Sequence, residues 1–210
     1  MLHRLRQDPH VEPVALVTTV NRTHGRVAMH AVREELLARQ AEAAGLPLWR
    51  VDIPSPCTNE QYEEAMRGLV ERALANGVTH MAFGDLLLED VRAYRERMLE
   101  GTGLTPLFPL WGEPTGRLAS EMIAAGLQAR ITCLDPRQVP RDFAGRAFDE
   151  SLLEALPGHV DRCGEQGEFH TFAWAGPMFS HPVPVEQGET VERDGFVFTD
   201  LLPAGTTVEG

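Results

Sequence analysis

The chain reads as α/β: an open parallel sheet with helices on both faces, followed by a smaller α+β domain. Three observations predict this. The first half alternates apolar β-branched runs with amphipathic stretches, in the order β-α-β-α-β-α. Its apolar runs are short and nearly unbroken, as in strands covered on both faces. After Gly167 the signals change to closely spaced strands, with Asp194-Gly195 as a hairpin turn.

Val14–Val20 is β-branched and almost wholly apolar, and predicts the first strand. A polar loop follows, Asn21 to Arg26. Met29–Ala44 predicts a helix, with Met29, Val32, Leu36 and Ala43 on one stripe and Gly45 at its C-terminal end. Leu48–Ile53 is the next strand, closed by Pro54 and Pro56. Thr58-Asn59-Glu60-Gln61 has the form of a capping box for a helix to about Ala75, stopped by Asn76-Gly77. His80–Asp85 is a third strand and Asp90–Glu100 a third helix, ended by Gly101 and Gly103. A boundary is expected near Gly112-Glu113-Pro114, giving domains 1–113 and 114–210. The second holds a helix at Pro114–Gly126, a strand at Ala129–Leu134, a short helix at Asp149–Leu156, and strands at Glu168–Trp174, Val183–Val185, Thr190–Arg193 and Phe196–Leu201.

With 210 residues, 43% hydrophobic and 24% charged, the chain is long enough for a substantial core. A net charge of −12 argues against a nucleic-acid-binding face. All 19 basic residues are Arg, so no lysine serves as phosphate ligand, Schiff base or general base. Cys57, Cys133 and Cys163 form no C-x-x-C pair, which speaks against structural zinc and a disulfide framework. No apolar run reaches a membrane span, and no signal segment stands at the start. The expected compartment is the cytoplasm, with no membrane partner.

The densest chemistry lies in Cys163-Gly164-Glu165-Gln166-Gly167-Glu168-Phe169-His170-Thr171. Strand alternation places Glu168, His170, Phe172 and Trp174 on one face and Phe169 and Thr171 on the other. A carboxylate beside an imidazole, after two permissive glycines, suits proton transfer or ligand capture. In open parallel sheets ligands lie beyond the carboxyl ends of the strands. That directs attention to Thr18–His30, Ile53–Thr58 and Gly84–Arg95. Arg92 and Arg95 lie i, i+3 on one helix face, where they suit an anion; a solvated face with an Arg92–Glu96 pair is the plainer reading.

Five ordered segments, Arg26–Arg33, Phe83-Gly84-Asp85, Asp90-Val91-Arg92, Gly103–Trp111 and Gly164–Thr171, resemble the diphthine–ammonia ligase family of PP-loop ATP pyrophosphatases, in its bacterial branch. The resemblance implies an adenine nucleotide alpha-hydrolase (Rossmann-like, HUP) domain with a family-specific domain after it. It implies that ATP adenylates a small-molecule or protein carboxylate acceptor and that ammonia displaces AMP to leave an amide. Thr18, Thr19, Asn21, Arg26, Gly84, Asp85, Asp90, Arg92 and Arg95 would then bind ATP, with Asp85 a Mg²⁺ contact. Glu165, Gly167 and Thr171 would bind the acceptor. Glu168, His170 and His30 would be catalytic, and the expected site is composite, with Glu168 and His170 near His30 and Asp85. The family's Ser-Gly-Gly-Lys-Asp-Ser-type loop has no counterpart in the sequence, which implies a start at an internal Met, the favoured alternative, or a degenerate relative that has lost the loop, and in either case weak ATP binding. Diphthine belongs to the elongation factor of eukaryotes and archaea, so the reaction class carries over more readily than the acceptor. A non-enzymatic interaction module and a metal-dependent hydrolase using Cys163, Glu168 and His170 stay open, as does a homodimer.

Overall fold

The structure is a computed structural model that describes residues 1–21, 26–27, 32–54 and 56–205. It divides into two compact units. The first comprises Met1–Gly25 and Pro47–Glu113, the second Arg26–Leu46 and Pro114–Gly210. The second unit therefore takes in a stretch, Arg26–Leu46, that the sequence reading assigns to the first domain.

In the first unit, helix α1 (Leu2–Gln7) precedes strand β1 (Leu16–Asn21). β1 pairs in parallel with β3 (Leu48–Ile53), in the register Val17↔Trp49 and Thr19↔Val51. Along β3 the alternation is strict: Trp49 and Val51 are buried, whereas Arg50 and Asp52 are exposed. Helix α3 (Asn59–Ala75) starts at the expected capping box. The Gln61 N–H donates to Thr58 Oγ1 at 3.3 Å, and the Thr58 N–H donates to Gln61 Oε1 at 3.0 Å. Strand β4 (His80–Ala82) pairs in parallel with β5 (Thr105–Leu107), and α4 (Glu89–Leu99) links them. Trp49, Val51, Met66, Leu69, Val70, Ala73, Leu99 and Leu104 make one core, with Met81 and Phe83 packed against it.

The parallel sense of these strands is as expected, but one continuous sheet is not what the ladders make. Among the described residues the ladders fall in two separate sheets, one holding β1·β3 and the other β4·β5. Core packing through α3 and α4 holds the pairs in one unit where backbone bonding does not.

In the second unit, β6 (Gln128–Leu134), β7 (Phe169–Ala175), β8 (Val185–Arg193) and β9 (Phe196–Pro203) form an antiparallel sheet in the order β7-β6-β9-β8. Of the two short strands expected at Val183–Val185 and Thr190–Arg193, Val183 and Pro184 lie outside any strand, and Val185 and Thr190–Arg193 belong to one strand, β8, with a register shift between Gln187 and Thr190. The β8–β9 turn places Asp194 at φ 53° and Gly195 at φ 82°, the left-handed pair that such a hairpin requires. Apolar residues on β7 split by parity between two cores. Phe169 and Ala173 join a cluster with Ile131, Val197, Ala119 of α5 (Thr115–Ala124) and Leu152 and Leu153 of α6 (Glu150–Ala155). Phe172 and Trp174 join Val183, Leu201, Val32 and Leu36 and Ala43 of α2 (Glu34–Ala44). The sheet is thus covered on one face by α5 and α6 and on the other by α2.

Candidate functional site

The first unit places Gly84, Asp85, Asp90, Arg92 and Arg95 beyond the carboxyl end of β4. Phe83 extends the ladder, its N–H donating to Leu107 O at 2.9 Å. The Gly112 N–H donates to Leu86 O at 2.8 Å, which ties the two following loops together. Gly84 is exposed, and a Cβ there would meet only Met1 Sδ at 4.0 Å, so the position leaves room for a ligand. Asp85 and Arg95 are brought together, Oδ2 to Nε 3.9 Å. Asp90 lies exposed in the first turn of α4. Thr18 and Thr19 are half-buried on β1, in register with Arg50 and Val51.

Three aromatic side chains shape this place. Phe83 stacks on Phe108 with centroids 5.6 Å apart, and Phe108 meets Trp111 edge to face at 6.1 Å. The Arg92 guanidinium lies 4.9 Å from the Phe108 centroid and 4.7 Å from that of Trp111; the Arg95 guanidinium lies 5.1 Å from that of Phe83. The Arg92–Glu96 pair expected from the i, i+4 spacing is present at 2.8 Å. Residue-by-residue reading of the arginines missed the aromatic row. The signal was in Leu107-Phe108-Pro109-Leu110-Trp111, where two large aromatics immediately follow a strand.

The second unit builds its candidate residues around a loop and the start of β7. The loop ends one residue later than the alternation implied. Glu168 precedes β7 and is 1% exposed. Its carboxylate accepts the Asp161 N–H on Oε1 and the Gln166 N–H on Oε2, both at 2.8 Å. Asp161 does the same from the other side. Its Oδ1 accepts the Cys163 and Glu165 N–H groups at 2.8 and 3.3 Å, and its Oδ2 accepts the Thr115 hydroxyl at 2.5 Å. Two carboxylates thus satisfy the backbone donors of one tight loop. Asp161 is a residue the sequence reading did not single out. Its signal was an Asp two positions before the N–H it accepts, the pattern of an Asx turn.

Gly164 sits at φ 70°, and a Cβ there would lie 2.6 Å from Phe169 O; Gly167 sits at φ 82° with open space around it. His170 and Thr171 are half-buried on β7, where Cys133 and Ile131 of β6 face them in register. Burial holds the His170 imidazole below its ordinary pKa, and so neutral at pH 7. Burial, then the neighbouring Asp161, pushes the Cys163 thiol up to about 12, which makes it an unreactive group. Among the described residues no group of three or more His, Cys, Asp or Glu could hold a metal. Asn21 and Arg26 are placed by backbone alone, at the end of β1 and in the two-residue strand β2 (Arg26–Val27). His30 lies outside the described residues. No helix of the described residues is long and apolar enough to cross a membrane.

Comparison with known proteins gives these places a context. Residues 114–200 match the family described as the diphthamide synthase C-terminal domain. That match holds the whole loop of Asp161 and Glu168, with β6, β7 and most of β9. Proteins named diphthine–ammonia ligase match across most of the chain. The one from Danio rerio is 28% identical over 178 residues, covering 77% of this chain and 69% of the relative. The Homo sapiens protein is 28% identical over 179 residues, covering 77% and 66%. The Schizosaccharomyces pombe protein is 24% identical over 178 residues, covering 78% of this chain and 29% of its own length. The chain is thus similar to the diphthine–ammonia ligase family, the family match itself lying in residues 114–200. It spans about two thirds of the vertebrate members it matches and under a third of the fission-yeast member. Both candidate places, the Phe83–Trp111 cluster and the Asp161–Glu168 loop, fall in segments through which the resemblance was read.

Proposed function

We propose that the chain is an ATP-dependent amide-forming ligase: it activates an acceptor carboxylate as an acyl-adenylate, which ammonia then converts to an amide. The observation that carries this reading is similarity, over most of the chain, to proteins named diphthine–ammonia ligase. In the first step an acceptor carboxylate oxygen bonds to the α-phosphorus of ATP and pyrophosphate leaves. In the second, ammonia bonds to the acyl carbon, AMP leaves, and the nitrogen gives up a proton. The first unit would hold the nucleotide. Arg92 and Arg95 supply fixed positive charge, Gly84 supplies space, and Thr18, Thr19, Asn21 and Asp90 complete the surroundings; Arg26, in the second unit, is assigned a nucleotide-binding part through the family pattern alone. Asp85 fits a Mg²⁺ contact, because that ion is commonly held by one or two carboxylates together with substrate phosphates.

In the second unit, His170 is the group suited to accept the proton from nitrogen, since burial keeps its imidazole neutral. Glu165, Gly167 and Thr171 would meet the acceptor. Glu168 acts in this reading as a positioning residue: both its oxygens hold the loop, and its 1% exposure keeps it from solvent. His30 is assigned a catalytic part through the family pattern alone. The test incubates the purified protein with ATP, Mg²⁺ and ammonium, with and without a diphthine-bearing protein as acceptor. AMP and pyrophosphate formed only with acceptor present support the reading. ADP and phosphate as products, or AMP formation indifferent to acceptor and ammonium, overturn it.

A further inference from the structure

We propose that the outer edge of β7, at Thr171 and Ala173, docks an extended peptide segment by its main chain, so that the acceptor met by the second unit is a polypeptide. The direction of the backbone groups carries this. Ile131 turns both of its own to the side away from β7: its N–H donates to Arg146 O at 3.0 Å, and its C=O accepts the Gly145 N–H at 3.1 Å. Ala129 O likewise accepts the Phe148 N–H at 2.8 Å. Arg130, between them, is therefore the residue that exchanges bonds with its β7 partner, Phe172. Ile131↔Thr171 and Ala129↔Ala173 are pairs of the non-hydrogen-bonded kind, so the N–H and C=O groups of Thr171 and Ala173 point away from β6. β7 is the terminal strand of the order β7-β6-β9-β8, which makes that side an edge.

The chain covers this edge at both ends and leaves its middle. At one end Gly164 lies against Phe169 O, which stands 2.6 Å from where a Cβ would be. At the other the Gln40 side chain donates to Ala173 O at 2.6 Å, and the Val183 N–H donates to Trp174 O at 2.7 Å. Between them the Thr171 N–H, the Thr171 C=O and the Ala173 N–H make no hydrogen bond among the described residues. Both residues are only half-buried. The three groups run donor, acceptor, donor along about 7 Å of strand. The sheet's opposite edge is defended: β8 carries exposed Glu186, Glu189 and Glu192 and a register shift. β7, Phe169–Ala175, has neither charge nor proline. An undefended edge with fixed backbone groups is the geometry of strand addition.

Parallel and antiparallel addition ask the same of the guest, two carbonyls and one N–H. A peptide main chain repeats that set every second residue; a free amino acid does not hold it. The window lies in the strand that carries His170 and follows the loop that carries Glu165 and Gly167. Alternate side chains of the guest therefore fall on the His170 face. That the guest is the acceptor rests on the ligase reading; the edge itself does not.

The test follows the amide NMR signals of the isotope-labelled chain during titration with a blocked pentapeptide, acetyl-Thr-Val-Glu-Val-Thr-amide. N-acetylglutamate amide, the same carboxylate without the extended chain, is the control. The Thr171 and Ala173 amides should shift and saturate with a dissociation constant on the order of a millimolar, as three backbone bonds give. Their exchange with deuterium should slow about tenfold at saturation. The control should move neither. Methylating the peptide nitrogens one at a time should weaken binding about tenfold at one position and spare its neighbours. Ala173→Pro removes one donor at an edge position, where proline is tolerated, and should weaken binding about fivefold or more. Should that variant melt early, the methylation series decides the matter on the unaltered protein. Unmoved Thr171 and Ala173 amides, a flat methylation series, or equal binding of the control would overturn the proposal. Protection of both amides at high protein concentration without peptide would assign the edge to a second copy of this chain and equally overturn it. Peptide docking without acceptor-dependent AMP formation would leave the edge standing and remove the ligase reading. Acceptor-dependent AMP formation undiminished in Ala173→Pro would do the reverse.

Discussion

Asp135 shows how a single buried side chain sets a pH dependence. It is buried and accepts from the Arg137 backbone N–H at 2.9 Å, Arg137 Nε at 2.8 Å and Arg137 Nη2 at 2.7 Å. The Arg137 guanidinium bonds outweigh burial and hold this carboxyl far below the usual range. A carboxyl whose folded pKa is depressed contributes stability above its unfolded value, near 3.9, and that contribution is lost as pH falls toward the folded value. Urea unfolding of the native chain and of Asp135→Asn should therefore differ most near neutrality and converge progressively below about pH 4. A gap that stays constant into acid would show that the carboxylate charge is not what matters. The cysteines provide a second check. Burial raises the Cys133 and Cys163 thiols to about 11 and 12, whereas Cys57 is half-buried near the surface, its thiol donating to Thr58 O at 3.4 Å. Thiolate is the reactive form. A disulfide reagent at pH 8 should find one fast thiol in the native protein, abolished by Cys57→Ala, and all three only in denaturant.

The loop between α6 and β7 is the element on which the second candidate place depends. Its two glycines answer different demands. A side chain at Gly164 meets both the left-handed backbone cost and a backbone oxygen, Phe169 O, 2.6 Å from the new Cβ. A side chain at Gly167 meets the backbone cost alone. The left-handed conformation costs an L-residue roughly 1–2 kcal/mol. Gly167→Ala should lose about that much in urea unfolding, and Gly164→Ala distinctly more, with Thr115–Asp161 contact disturbed. Equal losses would mean that the chain shifts freely around Gly164. The Gly-x-x-Gly spacing was visible in the sequence and its permissive backbone followed from it. The inward turn of the Glu168 carboxylate was not. Strand parity placed Glu168 beside His170 on a face, and it failed there because β7 begins at Phe169 and the loop's own N–H groups compete for the carboxylate.

At the scale of the whole molecule the second unit is assembled from distant parts of the chain. Its sheet needs α2, whose Leu36 and Ala43 cover Phe172, Val183 and Leu201. The Gln40 side chain donates to Ala173 O at 2.6 Å, and the Ser180 hydroxyl to Ala43 O at 2.9 Å, which fastens that helix to the sheet. The matched family region, residues 114–200, does not contain α2. A fragment of residues 114–210 should consequently expose an apolar face, bind a hydrophobic dye and self-associate. Adding a peptide spanning residues 32–46 should reduce dye binding. A fragment that is monomeric, cooperative on heating and indifferent to the peptide would show that the sheet manages without its cover.

Local chemistry alone determined the strands β3, β6, β7 and β9 within a residue or two, the capping box at Thr58, the hairpin at Asp194-Gly195 and the residue types of both candidate places. These depend on near neighbours: side-chain parity, a cap three residues from its partner, a φ that only certain residues tolerate. Ordered segments of the sequence also pointed to the family. Tertiary structure decided the rest. An amphipathic helix declares an apolar stripe but not the surface that covers it, so the docking of α2 onto the second sheet could not be read from Val32, Leu36 and Ala43. Parallel strands declare burial but not their neighbours, so the division into β1·β3 and β4·β5 was equally hidden. The stacking of Arg92 and Arg95 on Phe83, Phe108 and Trp111 brings together the ends of two strands and a helix face. Only the fold's long-range packing makes that meeting, because no local spacing carries it.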